Sequence, residues 1–323
     1  MAKINSVLGP ISPDDLGLTL AHEHIAAAYS GWECDALSRP YNREKIVNIC
    51  LKALTPVKEF GVKSIVDATP NDLNRDVEVM KEVSERLQIN IICATGMYTE
   101  EMGKWAYLKQ RRRAGIGDIA TELYDTYLHE LTKGIGNSGV KAGVIKVATG
   151  LDTISDCEMA SLKAAARAQK ETGVPIITHT EDGTMGPEQT DILLSEGADP
   201  NKIQCGHMCG NRSLDYQLSV LKKGVNIAFD RFGIEYFLPD SVRTANLISL
   251  LQAGYADHIL MSQDFIACAF GRGGSIPAED VKLFVNWSFT NIFRNIIPAL
   301  KKAGISDRQI QTMTVDNPRR LFS

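Results

Sequence analysis

Eight short runs rich in β-branched residues recur along this chain: "LGLTLAHEHI" at 16–25, "VKSIVDAT" at 62–69, "INIICATG" at 89–96, "AGVIKVATG" at 142–150, "VPIITHT" at 174–180, "NKIQCGH" at 201–207, "GVNIAFD" at 224–230 and "DHILMSQD" at 257–264. Between most of them lie segments of helical periodicity, at 43–59, 74–87, 156–171, 212–222 and 240–253. Strands alternating with helices predict βαβ units and a parallel sheet. Gly61, Gly173, Gly224 and Gly254 stand just ahead of strand runs, where a helix C-cap would fall. Eight such units in 323 residues predict a (β/α)8 TIM barrel of the α/β class, with residues 1–323 forming one domain. An open doubly wound sheet is the alternative. No G-x-G-x-x-G follows the first strand, and "GIGNSG" at 134–139 precedes a strand instead, which disfavours a dinucleotide site.

Composition narrows the partners. A net charge of −4, scattered rather than blocked, argues against nucleic acid or an anionic membrane surface. No run is long enough for a membrane span. The start, "MAKINSVLGPISPDDLG", lacks the basic and apolar regions of a signal peptide. Seven cysteines without a regular framework fit free thiols in a reducing cytoplasm. "CGHMC" at 205–209 has no second Cys/His pair at finger spacing, so its cysteines read as small buried residues.

Barrel chemistry sits at the C-terminal ends of the strands. There the first strand carries His22 and His24, two apart and therefore on one face. The fourth carries Lys146, the fifth ends at His179, the sixth at His207 and the eighth at Asp264. Four of the six histidines thus fall at strand ends. His129, in a helix, and His258, at a strand start, read as structural or exposed. A single strand histidine is more often a satisfied polar group than a ligand. Lys146 interrupts the apolar run "GVIKVAT", where desolvation lowers an amine's pKa. It would either pair with a carboxylate or react, as the neutral amine, with carbon dioxide to give an anionic carbamate. Imidazoles and carboxylates suit zinc, and also manganese, iron or cobalt. The joint pattern in strand order predicts a metal centre more strongly than any part.

These residues resemble the phosphotriesterase family of the amidohydrolase superfamily over nearly the whole chain, from "TLAHEHI" through "IKVATG", "THT" and "GH" to "NPRRLF". The resemblance implies a binuclear centre of two divalent ions, zinc foremost, bridged by N6-carboxylated Lys146. His22, His24 and Asp264 would hold the buried ion, and His179 and His207 the outer one. Within the family the chain is most similar to the phosphotriesterase-like lactonases. "ATGMY" at 94–98 resembles their third-strand end, with Tyr98 approaching the metals and the substrate carbonyl. "FDRFGIEYFLP" at 229–239 resembles their seventh-strand loop, with Arg231 as an active-site arginine. "CAFGRGGSIPAEDVKLFVNW" at 268–287 stands where they have a long substrate-covering loop. One departure is "SQD" at 262–264: the family's Ser-His-Asp has a histidine, thought to relay a proton, where this chain has Gln263. A glutamine can hydrogen-bond Asp264 but cannot titrate.

The implied activity is hydrolysis of lactones or carboxylic esters by a metal-bridging hydroxide, with Asp264 as general base and then acid and Tyr98 beside the oxyanion. Promiscuous phosphotriester hydrolysis is possible. Phosphotriesterase, amide hydrolase and a non-catalytic metal-binding barrel are the alternatives. Arg231 would pair with Asp230, with a pocket carboxylate, or hold the covering loop. Phe232, Phe265, Phe270 and Trp287 would line an apolar pocket or belong to the core. The substrate would be a small ester or lactone, and a cytoplasmic homodimer is the family expectation.

Overall fold

A computed structural model describes residues 3–272 and 277–323. A short antiparallel hairpin, β1 (Ile4–Ser6) and β2 (Gly9–Ile11), opens the chain. The main sheet follows: β3 (Thr19–Ala27), β4 (Ser64–Asp67), β5 (Asn90–Gly96), β6 (Val144–Thr149), β7 (Ile176–Thr180), β8 (Ile203–Cys205), β9 (Asn226–Phe229), β10 (Ile259–Met261) and β11 (Ile266–Ala269). Its order is β10-β9-β8-β7-β6-β5-β4-β3-β11, with every pairing parallel. The eight sequence runs each supply a strand.

The last of them departs from expectation. It leaves the ladder after Met261 and resumes at Ile266, outside the 257–264 run. Its first half pairs with β9 and its second with β3. Between the halves, Asp264 N donates to His22 O (3.2 Å) and His24 N to Phe265 O (3.0 Å). The curled sheet thereby meets its own first strand. Asp264 itself takes a left-handed φ of 53°, rare outside glycine and typical of Asp and Asn where it occurs.

Helices connect the strands. They are α1 (Arg43–Leu54), α2 (Val77–Leu87), α3 (Ala106–Arg113), α4 (Ile119–Thr132), α5 (Asp156–Thr172), α6 (Gly186–Ser195), α7 (Leu214–Leu221) and α8 (Asp240–Gln252), with short helices Ile297–Lys302, Asp307–Gln311 and Asn317–Phe322 at the C-terminus. Side-chain caps start many of them. Asn42 accepts from Lys45 N, Asp76 from Val79 N and Asp118 from Thr121 N, and Ser155 with Glu158 forms a capping box. Such caps satisfy backbone N–H groups that the first turn leaves unpaired. The expected 43–59 helix ends at Leu54, and a 3-10 segment with Pro near its start runs over Thr55–Phe60; proline supplies no N–H to continue the α ladder. Gly61 and Gly173 do close their segments in the left-handed region.

The core lies between sheet and helices, where Val47, Leu54, Ile65, Met80, Ile145, Leu162, Ile203 and Phe229 are buried. Two glycines fix distances near the strand ends. A Cβ on Gly96 would sit 1.7 Å from Lys146 O, and one on Gly206 2.1 Å from Thr178 O. Only glycine lets these backbones approach so closely. Among the described residues no helix is long and apolar enough to cross a membrane.

Candidate metal centre

The imidazoles of β3 converge on Asp264. His24 Nε2 lies 3.1 Å from Asp264 Oδ1 and His22 Nε2 lies 3.6 Å from it. His207, just past β8 in a left-handed conformation (φ 58°), brings its Nε2 to 3.7 Å from Asp264 Oδ2. The opposite ring nitrogens are anchored. His24 Nδ1 bonds Thr69 Oγ1 at 2.7 Å. His207 Nδ1 and its backbone N–H both donate to Asp230 Oδ1, at 3.0 and 2.9 Å. His22 Nδ1 lies 2.8 Å from Asp230 Oδ2, a close contact off the line of a good hydrogen bond. Holding Nδ1 leaves Nε2 free, which is how outer partners orient metal-ligating histidines.

Lys146 is buried among these rings, 1 % exposed. Its Nζ lies 2.9 Å from His22 Nε2, its one hydrogen-bond partner among the described residues. The alternative of an ion pair with a carboxylate is thus not the arrangement here. Burial drives its pKa down to about 8, against the pull of Asp264 and Asp230. An amine so placed is partly neutral near neutral pH.

His179 stands somewhat apart. Its ring lies 4.6 Å from that of His207, but its Nε2 bonds Glu181 Oε2 at 2.8 Å. Tyr98 Oη is 3.4 Å from the same nitrogen and the two rings meet edge to face. Burial lowers His179 to about 4. It lowers His22 as well, with Lys146 adding to the effect, and His207 falls well below the ordinary value through burial and Arg231. Neutral imidazoles are the form that ligates metals. Asp264 feels burial pushing its carboxyl up, but His207, His24 and His22 outweigh this and hold it well below the usual range. Burial raises the Tyr98 phenol far above its ordinary value, so it stays a hydrogen-bond donor.

Arg231 pairs with Asp264, Nε to Oδ2 at 3.2 Å, and its guanidinium lies 5.1 Å from the Phe237 ring centre. Of the three roles expected for it, pairing with a pocket carboxylate is the one observed as an ion pair. Gln263 is fully buried, but among the described residues its amide oxygen and nitrogen have no hydrogen-bond partner, so the expected bond to Asp264 is not made. The backbone oxygen of Gln263 accepts from Trp287 Nε1 at 3.0 Å.

Phe232 belongs to the core, 0 % exposed. Phe265 packs edge to face against Trp287 and Phe289, and Phe270 lies against Trp32 and Tyr41. The expected covering stretch 268–287 includes residues 273–276, which lie outside the described residues. Cys205 and Cys209 are buried free thiols, as expected.

Among the described residues, two groups could hold a cation by proximity of their donor atoms: His22, His24 and Asp264, and His22, His207 and Asp230. The donor chemistry fits a divalent metal, with several Nε2 atoms and one carboxylate converging around a desolvated amine. Sequence reasoning missed the supporting residues Thr69, Glu181 and Glu23, and considered Asp230 only as a partner of Arg231 rather than of His22 and His207. The available signal was a polar residue closing an apolar strand in "SIVDAT" and "NIAFD".

The profile of the Phosphotriesterase family matches residues 2–322. An aryldialkylphosphatase from Saccharolobus solfataricus is 35% identical over 97% of each chain. A phospho-furanose lactonase from Mycoplasmopsis synoviae is 29% identical, covering 98% of this chain and 91% of its own. The solved organophosphorus hydrolase from Deinococcus radiodurans is 40% identical and superposes with a TM-score of 0.96 over 99% of this chain and 97% of its own. The strand-end histidines, Lys146 and Asp264 thus sit in a chain that matches from end to end, and the protein belongs to the phosphotriesterase family.

Proposed function

We propose that this protein is a metal-dependent hydrolase that cleaves lactones or carboxylic esters, with phosphotriesters as secondary substrates. The observation that carries this is the convergence of the His22, His24 and His207 Nε2 atoms on Asp264, their Nδ1 atoms turned to outer partners, beside the buried amine of Lys146. Relatives named for phosphotriester and lactone hydrolysis support ester-bond chemistry. In this reading residues 1–323 act as one domain on a small-molecule substrate.

His22, His24 and Asp264 would hold one divalent ion, and His179 and His207 a second, with His179 releasing Glu181 to do so. Carboxylated Lys146 would offer oxygen donors to both; zinc suits the set, as do manganese, iron and cobalt. When bound, such ions lower the pKa of water from 15.7 to about 7 and polarise a carbonyl or phosphoryl oxygen. The remaining steps belong to the chain. Asp264, ionised at neutral pH, takes the proton of the attacking water as the new C–O bond forms. It returns that proton to the leaving oxygen as the old bond breaks. Tyr98 Oη–H donates to the carbonyl oxygen as negative charge develops there. Arg231, its Nε 3.2 Å from Oδ2, keeps the Asp264 carboxylate oriented.

The test is a hydrolysis screen of the metal-reconstituted protein against lactones, aryl esters, phosphotriesters and N-acyl amides. Lactone kcat/KM should exceed phosphotriester kcat/KM at least ~10-fold, about 1.4 kcal/mol of differential transition-state stabilisation. A planar carbonyl fits a site narrowed by Tyr98 better than a bulky tetrahedral triester. Better turnover of triesters, or no dependence on metal, overturns the proposal.

A further inference from the structure

Between the two β3 histidines sits Glu23, fully buried, its side chain on the opposite face of the strand from theirs. Its carboxylate accepts three hydrogen bonds, all from the segment where β10 breaks off. Oε1 accepts from Ser262 Oγ at 2.6 Å and from Gln263 N at 3.0 Å, and Oε2 accepts from Phe265 N at 2.8 Å. The Ser262 hydroxyl in turn accepts from His22 N at 3.1 Å. The two amides held by Glu23 are those on either side of Asp264, whose own N–H goes to His22 O.

A regular strand would pair these amides in its ladder. Here the ladder is interrupted between Met261 and Ile266, and Asp264 adopts a left-handed φ of 53°, uncommon for any residue but glycine. Glu23 stands in for the missing partners. It also locks the break to the same strand that carries His22 and His24, so ligand strand and Asp264 segment are tied at one point.

We propose that Glu23 is a positioning residue: its buried carboxylate clamps residues 262–265 in the one conformation that turns the Asp264 carboxylate toward His22, His24 and His207. It acts through Asp264 and touches no substrate. The inference rests on the metal-site reading above, because its consequence is read in metal affinity.

Glu23→Gln keeps the shape but replaces one acceptor oxygen by an NH2 that faces a donor. The test measures Co2+ affinity of the purified full chain by competition with a chelator, in a double-mutant cycle with Asp264→Asn, and records thermal unfolding of each variant. Glu23→Gln should weaken Co2+ binding at least ~10-fold with Asp264 present and less than ~2-fold in the Asp264→Asn background, because coupling is confined to residues acting together. Equal losses in both backgrounds, or no loss in either, overturn the positioning role. If Asp264→Asn alone leaves Co2+ affinity and activity intact, the metal-site reading fails instead. Should Glu23→Gln not fold, Ser262→Ala decides. It removes one donor to the clamp, and a Co2+ affinity loss of ~3-fold or more supports the role while an unchanged affinity overturns it.

Discussion

Replacing Asp230 by asparagine separates anchoring of the imidazoles from their ligation. Asp230 is fully buried, bonds His207 Nδ1 through Oδ1 and sets Oδ2 2.8 Å from His22 Nδ1. Asparagine offers one oxygen and one NH2. If the oxygen keeps the His207 Nδ1 and backbone N–H, the NH2 meets His22 Nδ1. A ring N–H there would face another donor, which costs about 1–3 kcal/mol when buried. The ring escapes by moving its proton to Nε2, but that removes the lone pair aimed at Asp264. Loss of such an outer partner typically lowers metal affinity about 10–100-fold, or about 1.4–2.7 kcal/mol. We expect the upper half of that range, since no flip of the amide serves both rings. The assay is Co2+ or Zn2+ competition against a chelator on apo-protein, with kcat/KM for a lactone measured alongside. Metal affinity within ~2-fold of the native value, in a folded variant, would refute the argument that Asp230 sets the tautomers.

Four further outcomes are expected. Lys146→Ala should lose metal affinity and activity together while the far-ultraviolet spectrum stays native, because barrel packing is spread over many layers; intact-mass measurement of the native protein should show one added carbon dioxide, and full activity of the variant at low metal would make Lys146 structural. Gln263→His should leave metal content unchanged and raise turnover of substrates with poor leaving groups, with a new limb in the pH–rate profile; an unchanged profile would show that no relay runs through this position. Tyr98→Phe should depress lactone turnover more than phosphotriester turnover, which parallel kcat measurements check. The histidine contribution to apo-protein stability should fall as pH drops, against the opposite pull of Glu23, Asp67 and Asp72, whose carboxyls burial raises: burial lowers the folded pKa of His22, His179 and His207, so below the unfolded value near 6.5 these three bind more protons in the unfolded chain. The stability they contribute is complete above that pH. For His179 it declines down to about 4, by up to about 1.4 kcal/mol per pH unit per residue; a His179→Gln variant whose thermal midpoint follows the same pH course as the native chain would contradict this.

The sheet was legible because each strand is a dense β-branched run, and the site because barrel chemistry gathers at strand ends. His22 and His24 declare themselves by the period of two, and Lys146 by its place in "GVIKVAT". Helix α4 was legible only through His129, read as helical, and its extent was not given although its buried residues Ile119, Leu123, Tyr127 and Leu131 recur every four positions; its threonines and tyrosines carry little helical propensity. Helix α6 was missed because "GTMGPEQ" reads as a turn, whereas its proline occupies the helix's first turn.

The anchoring residues were hidden for a different reason. Period and composition tell which face of a strand a residue takes, but not which neighbour across the barrel it will meet. Asp230 meets His22 across a separation of more than two hundred residues in sequence, and Glu23 meets Ser262 across 239. The Glu23 contact forms where the last strand breaks at Asp264 and reaches back onto β3. In "SQD" only the aspartate, a residue that takes the left-handed region more readily than most, is compatible with that bend, and neither glycine nor proline marks it. The bend is set from outside, by a buried carboxylate on the first strand, and that is why the residue between the two histidines carries as much of the site's geometry as the histidines do.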